Sequence, residues 1–153
     1  MATPEERLAQ MGLTLPEVVP PVAAYQPAVR TGDYVYVSGQ VPMVGGKPAG
    51  TGKVGAGVSE EQAKELAAVC ALNAVAAVKA ELGELSRVRR VVKVVGFVAS
   101  DPSFTAQPQV VNGASELLGE VFGEAGTHAR SAVGVSALPL DVPVEVEMIV
   151  EAD

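Results

Sequence analysis

Residues 59–99, with the sequence SEEQAKELAAVCALNAVAAVKAELGELSRVRRVVKVVGFVA, contain the two patterns that decide the fold. Ser59, followed three residues later by Gln62, forms a capping box, which is a common start of a helix. Apolar residues then recur at spacings of three and four as far as Leu82, as is typical of a helix with one buried face. Val88–Ala99 is dominated by valine, which predicts a central buried strand.

The flanking segments complete an α+β pattern. Alternating or apolar periodicity and turn residues predict strands at 28–30 and 34–38, a helix at 110–122, and closing strands at 129–138 and 142–150. The predicted order is ββ-α-β-α-ββ. It indicates an antiparallel-rich mixed sheet with two long helices packed on one face.

The N-terminal segment predicts a short helix and an extended arm. Thr3, Pro4 and Glu6 form a capping box with proline in the first turn, and four prolines follow between residues 13 and 27. A chain of 153 residues fits one domain. We therefore expect a single domain over 1–153, with the helix and arm in 1–22 and the core in 23–153.

Composition narrows the classes of partner. The net charge is −7, from 11 basic and 18 acidic residues, which disfavours a nucleic-acid partner. The one local basic cluster, which we interpret as a solvated strand edge, contains Arg87, Arg89, Arg90 and Lys93. Aromatic residues make up only 4%, so the core depends on small aliphatic side chains, and oligomerisation would add buried surface.

The sequence has no pattern typical of a secreted or membrane protein. Acidic and basic residues interrupt the N-terminus, and no apolar run approaches the length of a transmembrane helix. Cys70 is the only cysteine, so a disulfide within the chain is impossible. We expect a cytoplasmic protein.

The two closing strands contain the most informative polar pattern. If they pair directly and bury their apolar residues together, Arg130 lies on the same face as Glu145 and Glu147. Ala132 and Gly134 would leave room beside the guanidinium, whose planar fork suits a carboxylate. The alternative is an ordinary cross-strand ion pair on a solvated face.

The remaining candidates favour structural roles. His128 is the only histidine, so one chain cannot build a multi-histidine metal site, and we interpret this residue as incidental. Cys70 lies on the apolar stripe of the first long helix, where cysteine is usually a packing residue. We expect no metal and no organic cofactor.

Two stretches resemble the RidA (YjgF) family. They are Tyr34-Val35-Tyr36-Val37-Ser38-Gly39-Gln40-Val41-Pro42 and Ala129-Arg130-Ser131-Ala132-Val133-Gly134-Val135 followed by Ala137-Leu138-Pro139. The ending Val144-Glu145-Val146-Glu147 also fits, and the resemblance runs from Val22 to Glu151. The arm and Gly96-Phe97-Val98-Ala99-Ser100 look more like a longer subgroup, often labelled endoribonuclease L-PSP.

The resemblance implies a chorismate-mutase-like α+β fold and a homotrimer with ligand clefts between subunits. It also implies hydrolysis of enamine or imine intermediates such as 2-aminoacrylate. Such a hydrolase, a 2-iminobutanoate/2-iminopropanoate deaminase, releases a 2-keto acid and ammonia without a cofactor. Arg130 then matches the arginine that binds the substrate carboxylate, and Glu145 the acidic residue that positions water. The implied substrate-binding residues are Tyr25, Ser38, Gly39, Asn112 and Ala132.

The sequence departs from the family pattern at three places. Ala23-Ala24-Tyr25 stands where many members have Gly-Pro-Tyr, Ala132 replaces a common cysteine, and Gly134 replaces a common glutamate. These departures leave the carboxylate-binding arginine in place and affect the substrate range. A trimer that binds a small carboxylate without turnover is the main alternative, and an endoribonuclease or translation inhibitor is the other.

Overall fold

The computed structural model describes residues 1–18 and 24–153, and the predicted boundary between arm and core at 22/23 lies outside them. Three α-helices form: α1 (Pro4–Gln10), α2 (Glu60–Leu82) and α3 (Gln107–Phe122). The N-caps predicted for α1 and α2 are confirmed, since the side chains of Thr3 and Ser59 accept hydrogen bonds from the first turns.

The strands follow the predicted order. The long ones are β1 (Ala28–Thr31), β2 (Tyr34–Gln40), β7 (Val88–Ala99), β8 (Ala129–Val135) and β9 (Val144–Ala152). Between β2 and α2, the glycine-rich connection contains four two-residue strands, β3 (Met43–Val44), β4 (Lys47–Pro48), β5 (Lys53–Val54) and β6 (Gly57–Val58). The predicted α+β class with an antiparallel-rich mixed sheet is confirmed.

The five long strands form one sheet in the order β1-β2-β9-β7-β8. All neighbours are antiparallel except β7 and β8, which are parallel. The two closing strands β8 and β9 therefore do not pair, and the hairpin considered above is wrong because β7 lies between them. β7 pairs with β8 only from Lys93 onward, so Arg89 and Arg90 lie where β7 has β9 as its one partner strand in the described chain, which agrees with the strand-edge interpretation of the basic cluster.

Both long helices cover one face of the sheet, and small residues allow a close approach. A Cβ at Gly113 of α3 would collide with the backbone carbonyl of Lys64 in α2, and one at Gly96 of β7 would strike Val111. The core between helices and sheet is built almost entirely of valine, alanine and leucine, as the composition predicts. The opposite face of the sheet, here called the open face, exposes Tyr34, Tyr36 and Val133.

Helix α1 docks against α2 through Glu5. Its carboxylate accepts hydrogen bonds from the Leu85 backbone N–H at 2.9 Å and from Lys79 Nζ at 3.1 Å. Burial raises the pKa of Glu5, but these hydrogen bonds outweigh it and leave the pKa below its ordinary value.

The third helix begins at Gln107, three residues before its predicted start. Pro108 lies in the first turn, where the missing N–H removes no helical hydrogen bond. The extra turn matters for the site because it contains Pro108, whose carbonyl contacts Arg130 as Asn112 does.

Candidate functional site

Arg130 lies on the edge strand β8 and points toward α3. Its Nη1 donates hydrogen bonds to Asn112 Oδ1 at 2.7 Å and to Ser115 Oγ at 3.1 Å. Nη2 makes a longer contact of 3.4 Å with the Pro108 carbonyl. The Nε–H group has no acceptor among residues 1–18 and 24–153, so the Nε/Nη2 edge of the guanidinium is available for a ligand.

Small residues follow Arg130 on the same face of β8. Ala132 pairs with Gly96 of β7, and Gly134 pairs with Val98. These residues share the face of the sheet that the helices cover. A Cβ at Gly134 would press against Gln107 Nε2 at 2.7 Å. Gly134 therefore makes room for the first turn of α3, and Ala132 is the small neighbour beside Arg130.

Glu145, together with Gly39 and Ser38, forms a second set of residues, here called the Glu145 group, near the open face of the sheet. It lies opposite Phe97, and a Cβ at Gly39 would collide with its carboxylate. Ser38 precedes this glycine and is held by its Oγ, which donates to the Gln26 carbonyl at 2.6 Å. Tyr25, 55% exposed, lines with Gly39 a cavity of about 360 Å³.

The two groups do not meet within one chain. Arg130 and Glu145 lie on opposite faces of the sheet, with β7 between their strands, which separates the strands by about 10 Å. The prediction that Arg130 shares a face with Glu145 and Glu147 is therefore wrong. So is the alternative of a cross-strand ion pair, because within the described residues every hydrogen-bond acceptor of Arg130 belongs to α3 and no carboxylate pairs with it.

Glu145 is half-buried without a cation. Burial raises the pKa of its carboxyl group above the ordinary value, and the negative charge of Glu147 raises it further. In the described part of the chain no Lys or Arg forms an ion pair with it. Such a carboxyl group can hold a proton at a pH where an exposed glutamate has lost it.

The Arg130 group consists of Arg130 and the side chains hydrogen-bonded to it directly or through Ser115. The sequence did not identify two of its residues. Ser115 lies one turn after Asn112 on α3, and His128 precedes Arg130 by two residues, so alternation places both on the Arg130 side. Ser115 Oγ is 2.9 Å from His128 Nε2, and His128 Nδ1 is 2.6 Å from the Gly126 carbonyl. His128 is therefore hydrogen-bonded between α3 and the turn before β8.

The other single-residue expectation agrees with the structure. Cys70 is fully buried on α2, with its Sγ 3.6 Å from the Val144 carbonyl. Burial, and after it the charge of Glu145, raises the pKa of the thiol well above its ordinary value. Neutral and inaccessible, Cys70 is a packing residue.

Among residues 1–18 and 24–153, no cluster of three His, Cys, Asp or Glu side chains could hold a metal ion. No helix of the described chain is long and apolar enough to cross a membrane.

Comparison with known proteins identifies the class. Residues 5–152 match the family model described as "YjgF/chorismate_mutase-like, putative endoribonuclease". The chain belongs to this YjgF/chorismate-mutase-like family, as its sequence motifs predicted.

Three similar proteins illustrate the relationship. Protein TCP17 of Trypanosoma cruzi is 46% identical over 147 residues, covering 94% of this chain and 91% of that protein. The crystal structure of Atu1372 from Agrobacterium tumefaciens, a protein of unknown function, is 49% identical with a TM-score of 0.92, over 99% of this chain and 94% of that one. A "putative endoribonuclease" from Shewanella oneidensis is 35% identical with a TM-score of 0.95, over 98% and 99%.

Proposed function

We propose that the chain is a deaminase of small 2-imino acids, hydrolysing 2-iminobutanoate and 2-iminopropanoate to 2-keto acids and ammonia. The observation that carries the proposal is the state of Arg130. Three groups of α3 hold the guanidinium, while its Nε–H and one of the two Nη2 hydrogens have no acceptor among residues 1–18 and 24–153. That edge presents two parallel N–H donors, which match the two oxygens of a carboxylate.

The proposed site lies between subunits of a homotrimer. Arg130 sits at the outer strand of the sheet, and Glu145, Gly39 and Ser38 sit near the open face, so one small ligand cannot touch both groups in one chain. The open face also exposes large apolar side chains that a second copy would cover, namely Val29, Tyr34, Tyr36 and Val133. Association of copies can bring Arg130 of one subunit to the Glu145 group of another.

The chemistry needs little more than binding and a positioned water. Arg130 holds the carboxylate and orients the imine carbon, which is already electrophilic. Water oxygen bonds to that carbon, the C–N bond breaks, and the nitrogen takes both water protons and leaves as ammonia. Glu145, with its raised pKa, can accept a proton from the attacking water and return it to the nitrogen.

The remaining binding residues have supporting roles in this proposal. Asn112 orients Arg130, Ser38 and Gly39 shape the approach to Glu145, and Ala132 and Tyr25 line opposite parts of the shared cleft. The reaction requires no metal or organic cofactor. We also propose that 1–153 acts as one domain and that the enzyme works in the cytoplasm, where Cys70 stays reduced.

The test is the rate of pyruvate release from 2-aminoacrylate, which a serine dehydratase generates in the assay. This enamine becomes 2-iminopropanoate when a proton moves from nitrogen to the methylene carbon. We expect wild type to accelerate the release and Arg130→Ala to lose about a hundredfold of that acceleration. The matched control is Arg89→Ala, which removes an exposed arginine whose nearest acid, Asp153, is 3.5 Å away.

Equal rates for wild type and Arg130→Ala would contradict the proposal. If neither protein accelerates release but wild type alone binds 2-oxobutanoate, the trimer that binds without turnover replaces the deaminase. Cleavage of single-stranded RNA at low salt by wild type would support the endoribonuclease instead, a result that the net charge of −7 leads us not to expect.

A further inference from the structure

A chain of hydrogen bonds continues from Arg130 away from the proposed ligand. It runs from Arg130 Nη1 to Ser115 Oγ at 3.1 Å, and from Ser115 Oγ to His128 Nε2 at 2.9 Å. It ends where His128 Nδ1 meets the backbone carbonyl of Gly126 at 2.6 Å. The proposed chemistry above uses neither Ser115 nor His128.

The two ends of this chain determine the direction of its bonds when the His128 ring is neutral, because a guanidinium can only donate. A carbonyl oxygen can only accept, so the proton of a neutral His128 ring lies on Nδ1. Nε2 is then bare and accepts, so the Ser115 hydroxyl must donate to it. The lone pairs of Ser115 consequently face Arg130, where they accept from Nη1.

The carbonyl itself is firmly placed. Gly126 is buried, and a Cβ there would collide with the backbone of Leu118 in α3. Only glycine allows the turn before β8 to pack this closely against the helix. The orientation of the His128 ring is therefore set by packing between the turn and α3.

A count of donors shows what the chain does for Arg130. Nη1 carries two hydrogens, and Asn112 and Ser115 accept one each. The guanidinium plane cannot rotate without breaking one of these bonds, and a ligand cannot compete for Nη1 without displacing a protein acceptor. The Nε/Nη2 edge is left as the one complete fork.

We propose that Ser115 and His128 are positioning residues for Arg130, which orient its Nε/Nη2 edge toward the substrate carboxylate. The inference deepens the proposed function and rests on it for the identity of the ligand. His128 acts through Ser115 and does not touch the substrate. Its contribution is the bare Nε2 that keeps the Ser115 hydroxyl turned away from Arg130.

The first measurement uses the unmodified protein. His128 is the only histidine, so nitrogen-15 NMR of the imidazole ring gives one unambiguous pair of signals. We expect the proton on Nδ1 and an unprotonated Nε2 at neutral pH. A proton on Nε2 would reverse the hydrogen-bond chain and overturn the proposal.

The second measurement separates positioning from folding. Affinity for 2-oxobutanoate, a stable 2-keto acid, is measured by calorimetry for wild type, Ser115→Ala, His128→Leu and His128→Gln. We expect Ser115→Ala and His128→Leu each to bind about tenfold more weakly, the effect of losing one hydrogen bond to a charged group. KM for the imine should rise by the same factor while kcat changes less than twofold.

His128→Gln provides the rescue, because its amide oxygen can accept from Ser115 as Nε2 does. We expect it to recover most of the affinity lost in His128→Leu. Adding Ser115→Ala to His128→Leu should cost little more than either change alone, because both act through one chain. Wild-type affinity in Ser115→Ala and His128→Leu would overturn the proposal.

Failure of the two proposals can be told apart. If wild type binds 2-oxobutanoate but releases no pyruvate, the deaminase is wrong and the variant series still decides the positioning role. If wild type binds no carboxylate, both are overturned.

Discussion

The Arg130 group and the Glu145 group differ in how their charged residue is surrounded. Arg130 donates hydrogen bonds to neutral acceptors of one helix, α3, so its orientation is set within the chain. Glu145 is half-buried beside another acid, with a raised pKa. The comparison indicates that one face of the sheet presents an arginine already oriented by its neighbours. The other face presents an acid with no cation beside it in the described chain.

We expect the largest effect from Arg130→Lys, a substitution that changes the geometry of the Arg130 group but keeps its charge. Arg130→Lys retains a cation, but an ammonium lacks the planar fork and cannot serve Asn112, Ser115 and a ligand together. We expect kcat/KM for pyruvate release to fall about a hundredfold, nearly as far as in Arg130→Ala. Activity within threefold of wild type would show that charge alone binds the carboxylate.

The next effect tests the Glu145 group. Gly39→Ala places a Cβ against the Glu145 carboxylate and displaces it, while the Arg130 group is untouched. We expect kcat to fall about tenfold with unchanged affinity for 2-oxobutanoate. The free energy of unfolding should change by less than about 1 kcal/mol, because the end of the Glu145 side chain can move aside. Steady-state kinetics and urea unfolding measure both quantities.

The matched control for that substitution is Gly119→Ala. Gly119 lies in α3, and a Cβ there meets nothing within 4 Å. We expect unchanged kinetics and a stability gain of about 0.5–1 kcal/mol. Equal kinetics for Gly39→Ala and wild type would remove Glu145 from the proposed reaction.

The smallest effect concerns pH and stability. The folded-state pKa of Glu145 is raised, so folding favours the protonated carboxyl group. Its destabilising contribution is absent below the unfolded-state pKa and appears as the pH rises through the folded-state pKa. Glu145→Gln should therefore raise Tm by a degree or so at pH 8, roughly the effect of a few tenths of a kcal/mol, and not at pH 4.

Thermal unfolding followed by circular dichroism at the two pH values measures this difference, with Glu81→Gln on the exposed end of α2 as the control. A loss of Tm at pH 8 would contradict the prediction that the ionised form of Glu145 destabilises the folded state.

Local chemistry explains why most of the fold could be predicted. The caps at Thr3 and Ser59 and the valine run of β7 depend on neighbouring residues alone. The start of α3 was placed too late because Pro108 suggested a connection, although proline is well accommodated in a first turn.

The site was predictable in its residues and not in its arrangement. Family motifs drew attention to Arg130, Glu145, Gly39 and Asn112. Ser115 and His128 carry no motif, because a serine in a helix and a lone histidine before a strand are common. Their meaning depends on the contact between α3 and β8.

The sequence by itself determined the family, the helices and strands, and the small aliphatic core, because caps, periodicity and composition act over a few residues. Only the tertiary structure decided that β7 enters between β8 and β9. Strand order depends on pairing between distant segments, which local periodicity does not encode. Register against β7 then turns Arg130 toward the helices and Glu145 to the other face, so a single chain holds both halves of the proposed site without joining them.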